Sequence, residues 1–287
     1  MPAKPRIGIT LGDVAGIGPE VVAKALASGR HDRRFDYEVI GHPRARRQDA
    51  RQWIETGAKR CLTGELAALV TGPITKSLVA PWPGQTEFLA HLSRSKKFAM
   101  LLCNDPPSPR TTVRLRRTGI LRVALVTTHA PLREVAGLIT GRKIVEVVAL
   151  TRDFCRQLGI RRPRIAVAGL NPHAGEGGLL GDEERRIIAP AIKRTRAIGP
   201  CPADTVFYRA LHGEFDAVVA MYHDQGLAPF KLIAFDNGVN VTLGLPFVRT
   251  SPDHGTAPDI AGKGIARPDA MIAAINLAAR LARRHVR

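Results

Sequence analysis

The chain has 287 residues, 45% of them hydrophobic, which is enough to bury the core of one large α/β unit or of two closely joined lobes. Its four cysteines are widely separated and it has no long apolar run, so we expect a cytoplasmic protein without a disulfide framework, a zinc knuckle or a membrane segment. The net charge of +18 comes largely from scattered arginines without interleaved aromatic residues, which favours a surface that attracts anionic substrates over one that binds nucleic acid.

Short runs rich in Val, Ile and Leu predict buried strands along the chain. In chain order they are 7–10, 66–71, 121–127, 164–168, 217–221 and 239–243. Helical periodicity is clearest at 143–158, 183–196 and 269–281. The alternation of the two patterns predicts an α/β fold with a largely parallel sheet.

Three of the predicted strands run into a histidine. His129 follows the strand at 121–127, His173 follows 164–168 and His223 follows 217–221. Ligands of α/β proteins gather outside the carboxyl ends of the strands, and three imidazoles can hold a divalent ion while leaving one position open for substrate. We therefore predict one shared metal site rather than three unrelated structural histidines.

Acidic residues lie close to these histidines in the sequence. Asp224 adjoins His223, and Glu176 follows His173. A carboxylate can orient a ligating imidazole or take part in proton transfer, so Asp224 and Asp204 are our candidate catalytic residues. Asp204 is equally well explained as the N-cap of a helix that begins near residue 205.

A second group of polar residues follows His223 on an otherwise apolar, glycine-rich segment. Lys231, Asn240 and Arg249 supply the donor types that grip a phosphate, although each alone would be an ordinary surface residue. No G-x-G-x-x-G fingerprint follows a strand, since the glycines at 12–18 and 175–181 have the wrong spacing. A dinucleotide must therefore be held without a Rossmann motif.

Several long blocks of the sequence resemble the 4-hydroxythreonine-4-phosphate dehydrogenases of vitamin B6 synthesis. The blocks are 8–13, 70–76, 169–178, 221–226 and 243–251. The resemblance covers most of the chain. It implies a homodimer with its active sites at the subunit interface, each with a divalent metal on the three histidines that match His129, His173 and His223. We favour Zn²⁺, with Mg²⁺, Mn²⁺ and Co²⁺ as alternatives.

The resemblance also implies an activity. It is the NAD-dependent oxidation and decarboxylation of 4-phosphooxy-L-threonine to 3-amino-2-oxopropyl phosphate, a step of pyridoxal phosphate synthesis. The family's phosphate-holding residues match Lys231, Asn240 and Arg249, and its acidic residue in the Pro-Ala-Asp-Thr block matches Asp204.

The segment 253–265 resembles the adenine-side loop of isocitrate and isopropylmalate dehydrogenases. This second resemblance implies a two-lobed fold with the active site in the cleft between the lobes and NAD bound without a Rossmann motif. The residues expected to line the NAD site are His254, Gly255, Thr256, Ala257, Pro258, Asp259 and Ile260. We expect 1–80 with 256–287 to form the first lobe and 81–255 the second.

The chain departs from the family pattern at its substrate site. Gln85 stands where the family has a histidine that contacts the substrate, whereas the neighbouring Thr86 is retained. Glutamine donates hydrogen bonds but does not titrate near neutral pH. The chain also lacks a stretch after residue 40 and adds about a dozen residues around Asn104 to Thr118. Dehydrogenases acting on phosphothreonate or phosphoerythronate are therefore the main alternative, and a non-catalytic basic binding module is a remote one.

Overall fold

The computed structural model describes residues 3–104 and 119–283. The insertion expected around Asn104 to Thr118 therefore lies, apart from Asn104, outside the described residues. The chain divides into two units, with Met1–Lys96 and Asp236–Arg287 in unit 1 and Lys97–Phe235 in unit 2. The lobe boundaries expected at residues 80 and 255 stay a prediction. The two units are divided after Lys96 and after Phe235.

The strands of the described residues alternate with helices, as the sequence predicts. They are β1 (Arg6–Thr10), β2 (Asp36–Ile40), β3 (Ala68–Thr71), β4 (Ala99–Cys103), β5 (Arg122–Leu125), β6 (Ile165–Ala168), β7 (Ile198–Cys201), β8 (Ala217–Ala220), β9 (Val239–Leu243) and β10 (Val248–Pro252). The α-helices are α1 (Gly18–Ala27), α2 (Asp49–Leu62), α3 (Gln85–Leu92), α4 (Leu132–Leu138), α5 (Gly141–Gln157), α6 (Ala189–Lys193), α7 (Ala203–Leu211), α8 (His223–Ala234) and α9 (Asp269–Ala282).

In unit 1 the strand order is β2-β1-β3-β10-β9. All pairs are parallel except β10 with β9, where Thr250 pairs with Val241 and Ser251 with Asn240. The strand β3 is buried along its whole length, which is why its sequence is continuously apolar rather than alternating. Helix α9 packs on β10, and Thr250 Oγ1 donates a hydrogen bond to the carbonyl of Ala274 at 2.8 Å.

In unit 2 the strand order is β4-β5-β8-β6-β7. The strands β5, β8 and β6 are neighbours and run parallel, whereas β4 pairs antiparallel with β5. Every residue of β5, β6 and β8 is buried. The buried face of α7, with Val206 and Phe207, belongs to the same apolar core. The parallel arrangement brings the carboxyl ends of these three strands to one edge.

The predicted mixed α/β fold is confirmed. None of the helices in the described part of the chain is both long and apolar enough to cross a membrane. The predicted helix at 183–196 is present in two parts, a π-helical turn at Glu184–Ile188 and then α6.

Candidate active site

The three predicted histidines follow the three neighbouring parallel strands of unit 2. His129 comes after β5, His223 after β8 and His173 after β6. Because β5, β8 and β6 are adjacent and parallel, these histidines all follow the same edge of the sheet, which is where α/β proteins hold ligands.

Two of the three imidazoles lie side by side. The ring centroids of His129 and His223 are 5.4 Å apart. His223 is the first residue of α8, and its Nδ1 pairs with Oδ1 of Asp224 at 2.6 Å. A carboxylate that accepts the Nδ1 proton in a hydrogen bond fixes the tautomer in which Nε2 has a free lone pair and can bind a metal ion. The pair therefore matches the donor chemistry of a metal ligand and its orienting carboxylate.

His173 is presented by a left-handed turn at Pro172–Gly178. The φ and ψ angles are 52° and 28° at His173, and residues 174–177 also have positive φ. Non-glycine residues in this region cost about 1–2 kcal/mol each, and such strain clusters at functional sites. Nδ1 of His173 pairs with Oε2 of Glu176 at 2.7 Å, which again leaves Nε2 for a ligand.

Within the described residues of a single chain, no group of three His, Cys, Asp or Glu side chains is placed to hold a metal ion. The donor set nevertheless fits a divalent cation such as Zn²⁺, because His173 and His223 each have an orienting carboxylate and His129 adds an adjacent ring. One chain brings two of the predicted ligands together, and the convergence of all three stays a prediction.

The interpretation of Asp204 as an N-cap is wrong. Helix α7 begins at Ala203, its N-cap position is Pro202, and no side chain caps it. Pro202 precedes Asp204 by two residues and its ring fixes the backbone for helix entry, so the helix begins earlier than the sequence predicts. Asp204 lies in the first turn of α7, where its negative charge interacts favourably with the positive end of the helix dipole.

Arg249 on β10 is buried in unit 1, and its hydrogen-bond partners are neutral side chains. Nη2 donates to Thr71 Oγ1 at 2.7 Å, and Nη1 donates to Thr242 Oγ1 at 3.0 Å. Its exposed fraction is only 2%. Burial lowers the pKa of Arg249 to about 10, against the opposing influence of Glu87, so the guanidinium is still charged at neutral pH. A buried cation that is hydrogen-bonded to two hydroxyls and one amide is a candidate contact for an anionic ligand.

Asn240 lies on the same face of the sheet as Arg249. The antiparallel register pairs Asn240 with Ser251, two residues beyond Arg249, and alternate residues of a strand share a face. Asn240 Oδ1 is buried and accepts no hydrogen bond from the described residues. A buried amide without its full set of partners is a candidate contact for a polar ligand.

Gln85 and Thr86, at the start of α3, adjoin this arginine. Gln85 Oε1 accepts a hydrogen bond from Arg249 Nη2 at 3.3 Å, and Thr86 Oγ1 lies 3.4 Å from Thr242 Oγ1. Unit 1 therefore brings together Gln85, Thr86 and Arg249, three of the predicted substrate residues. Lys231 lies on α8 in unit 2, where its Nζ is 5.7 Å from the centre of the Phe235 ring.

The loop at 254–260 packs against the loop that follows β1. Ile17 N donates to the carbonyl of Thr256 at 2.8 Å, and a Cβ added at Gly16 would lie 2.6 Å from the same oxygen. Only glycine permits this close approach of the two backbones. The predicted NAD loop is thus held against the first strand-to-helix connection of unit 1.

Asp13, which the sequence interpretation missed, is buried in that connection. Its carboxylate accepts hydrogen bonds from Arg47 Nε at 2.9 Å and from Thr75 Oγ1 at 2.5 Å. Burial alone would raise the pKa of Asp13, but the bonds from Arg47 and Thr75 outweigh it and hold the pKa below its ordinary value. The available signal was an aspartate three residues after a buried strand, in a block that resembles the family.

Comparison with known proteins agrees with the blocks identified in the sequence. A family model described as "Pyridoxal phosphate biosynthetic protein PdxA" matches residues 25–278. The chain is 39% identical to a 4-hydroxythreonine-4-phosphate dehydrogenase of Geobacter metallireducens, over 98% of this chain and 96% of that protein. It is 37% identical to a D-threonate 4-phosphate dehydrogenase of Salmonella typhimurium, over 96% of this chain and 98% of that protein.

Solved structures show the same likeness. The crystal structure of a 4-hydroxythreonine-4-phosphate dehydrogenase from Klebsiella pneumoniae matches with a TM-score of 0.77 and 36% identity, over 97% of this chain and 98% of that one. An isocitrate dehydrogenase from Methylococcus capsulatus matches with a TM-score of 0.56 and 16% identity, over 98% of this chain and 86% of that one. The second likeness shows the fold alone, and it confirms the expected fold type.

Proposed function

Since the chain belongs to the PdxA family and is an oxidoreductase acting on a CH–OH group, we propose that it oxidises 4-phosphooxy-L-threonine with NAD. The reaction includes decarboxylation and yields 3-amino-2-oxopropyl phosphate, for pyridoxal phosphate synthesis. The observation that carries this proposal is the buried Arg249, whose hydrogen-bond partners Thr71, Thr242 and Gln85 are all neutral.

The phosphate of the substrate compensates that buried charge. A phosphate oxygen accepts strong hydrogen bonds from a guanidinium, and in a low-dielectric site the pairing is worth more than in water. Asn240 on the same face offers an amide to the substrate. The proposed phosphate contact of Lys231 rests on the sequence resemblance alone.

The proposed metal site uses the imidazoles of His129, His173 and His223. A bound divalent ion supplies Lewis-acid stabilisation for an oxygen that gains negative charge. Asp224 and Glu176 hold the rings of His223 and His173 in the tautomer that has a free Nε2. Asp204 is the proposed proton-transfer residue from α7.

We propose a homodimer whose two chains together supply the three imidazoles. In the described part of one chain His129 and His223 lie together, and no group of three ligands is formed. Large apolar side chains are exposed on the elements that carry the histidines. Leu179, next to the His173 turn, is 81% exposed. Leu232 on α8 is 82% exposed, and Phe235 directly after α8 is 75% exposed. Apolar surface of this kind marks protein interfaces.

The proposed NAD site is the loop His254–Ile260. Two backbones in close contact, with the buried Asp13 beside them, give this part of unit 1 a fixed shape before a ligand binds. When bound there, NAD would accept the hydride that leaves the substrate carbon.

A second substrate class is favoured by Gln85. Oxidation of a 4-phosphorylated threonate would also use the arginine, but it presents a hydroxyl in place of the substrate ammonium. The amide of Gln85 offers that hydroxyl an uncharged hydrogen-bond partner, whereas a histidine at this position can become charged. The likeness to the Salmonella typhimurium D-threonate 4-phosphate dehydrogenase supports this alternative.

The test is turnover on a defined panel. The purified chain is loaded with Zn²⁺, Mg²⁺, Mn²⁺ or Co²⁺ in turn and supplied with NAD and one of three acids: 4-phosphooxy-L-threonine, 4-phospho-D-threonate or the unphosphorylated 4-hydroxy-L-threonine. We expect metal-dependent NADH formation, with the largest kcat/KM for 4-phosphooxy-L-threonine. A larger value for phosphothreonate would establish the alternative substrate, and NADH formation that ignores the phosphate would contradict both.

A further inference from the structure

Two buried polar residues of unit 2 contact the backbone that precedes His173. We propose that Glu184 and Gln225 are positioning residues that hold the left-handed turn of His173 and thereby set the affinity for the metal ion. The inference rests on the proposed function, because it takes His173 to be a metal ligand.

Glu184 holds the turn from one side. It is 5% exposed, and its Oε1 accepts hydrogen bonds from Leu170 N at 2.7 Å and Asn171 N at 2.8 Å. Its Oε2 accepts a further bond from Asn171 Nδ2 at 2.9 Å. All three donors lie directly before Pro172, where the left-handed turn begins. The carboxylate therefore fixes the backbone at the entry to the turn.

The turn needs such support. His173, Ala174 and Glu176 all have φ between 45° and 55°, a region of the backbone map that is unfavourable for residues other than glycine. Gly175 packs so closely on the carboxylate that a Cβ there would lie 2.7 Å from Glu184 Oε2. A strained backbone persists only where its surroundings over-determine it, and Glu184 supplies much of that determination.

Gln225 holds the same segment from the other side. It is 9% exposed, and its Nε2 donates to the carbonyl of Gly169 at 2.7 Å. Its Oε1 accepts from Met221 N at 2.6 Å, at the carboxyl end of β8. Gln225 lies two residues after His223 on α8. One buried amide thus connects the loop that leads to His173 with the turn that carries His223.

The hydrogen bonds of Glu184 and Gln225 therefore determine where the imidazole of His173 lies. Partners that orient metal ligands typically change metal affinity by about 10- to 100-fold when they are removed. A carboxylate that serves only the fold would change stability and leave the affinity of the folded protein for metal unaltered. The two roles are therefore separable by experiment.

The experiment measures Zn²⁺ affinity by competition with a chromophoric chelator and records the visible spectrum of the Co²⁺ protein. The variants are Glu184→Ala, Glu184→Gln and Gln225→Ala, all in the full chain. We expect Glu184→Ala and Gln225→Ala to weaken Zn²⁺ binding at least about tenfold and to alter the Co²⁺ spectrum. Glu184→Gln should largely keep both properties of the parent, because its amide oxygen still accepts the two backbone N–H bonds and only the bond from Asn171 Nδ2 is lost.

The matched control is Asp216→Ala. Asp216 is also a carboxylate of unit 2 that accepts a backbone bond, from Arg164 N at 2.7 Å, but it precedes β8 and so lies at the opposite end of that strand from His223. It should lose stability and keep the parental Zn²⁺ affinity. Parental affinity and an unchanged Co²⁺ spectrum in a folded Glu184→Ala variant would overturn the proposal. If that variant does not fold, the same result in Gln225→Ala overturns it.

His173→Ala separates this proposal from the function on which it rests. If His173→Ala keeps parental Zn²⁺ affinity, the proposed metal site itself fails, whatever Glu184 does. If His173→Ala loses the metal while Glu184→Ala and Gln225→Ala keep it, the metal site stands and only the positioning role is lost.

Discussion

Arg249 Nη2 donates a hydrogen bond to Oε1 of Gln85 at 3.3 Å, and Gln85 Nε2 in turn donates to the carbonyl of Gly72 at 3.1 Å. The guanidinium thus sets which end of the amide faces it. A protonated imidazole at this position could not accept from the arginine, and it would add a second buried positive charge. Glutamine therefore gives this site a fixed, uncharged acceptor.

Gln85→His should introduce a pH dependence that the parent lacks. The charge of Arg249 disfavours a protonated ring, so the new imidazole should have a pKa below the ordinary value for histidine. We expect the ratio of kcat/KM between variant and parent to fall as the pH is lowered from about 8 to about 5. A ratio that stays constant over this range would show that the side chain at position 85 does not contact the substrate.

Arg249→Ala should raise KM for the phosphorylated substrate about 100-fold, because a charge-assisted pair in a buried site contributes about 2–3 kcal/mol. Substrate without the phosphate should be affected far less. Arg122→Ala is the control, since Arg122 is 8% exposed and donates to the Asp216 carbonyl at the start of β5, the end of that strand opposite His129. Equal effects of Arg249→Ala on phosphorylated and unphosphorylated substrates would contradict the phosphate assignment.

His173→Ala and His223→Ala should each abolish turnover and reduce bound Zn²⁺ to less than about a tenth of the parental amount, with the fold retained. His212→Ala is the matched control: His212 stacks on Tyr208 with ring centroids 4.0 Å apart, and it lies at the end of α7. It should keep metal and activity. Metal content by mass spectrometry and circular dichroism measure the two properties, and full metal content in either site variant would exclude that residue as a ligand.

Asp32 should stabilise unit 1 except in acid. Burial raises the pKa of Asp32, but hydrogen bonds from Arg34 and Arg283 outweigh it, and the pKa is about 2 against the ordinary 3.8. A depressed carboxyl pKa stabilises the fold fully above about pH 4, and that contribution is lost as the pH falls toward about 2. Asp32→Asn should therefore cost about 1 kcal/mol at neutral pH, after screening by solvent, and almost nothing near pH 2. Urea unfolding at both pH values measures this, and an equal cost at each would contradict it.

Much of the architecture follows from apolar patterning. The strand predicted at 239–243 is β9 with the same bounds, and the helix predicted at 269–281 is α9 to within one residue. The strands before the histidines were predictable because fully buried strands are continuously apolar. Their adjacency was not predictable from local sequence, because strand order is set by long-range packing.

The missed features have physical reasons. The strands β2 and β7 carry polar, glycine or proline residues and lie at the ends of the strand order, where half-exposed strands have no continuous apolar run. The left-handed turn at His173 is built by surrounding contacts, since Ala174 and Glu176 do not prefer its φ values. From the sequence alone, Glu184 would be interpreted as an ordinary surface residue of a helix. Its burial is evident only in the folded structure.

His129, His173 and His223 should bind one divalent ion. A crystal structure of the Zn²⁺-loaded protein, with anomalous data at the zinc edge, tests it most directly. We predict one anomalous peak per chain, with Nε2 of each of the three imidazoles at about 2.0–2.1 Å from it and ligands drawn from both subunits of a dimer. An occupied zinc position elsewhere, with the three rings sharing no ion, would contradict the account.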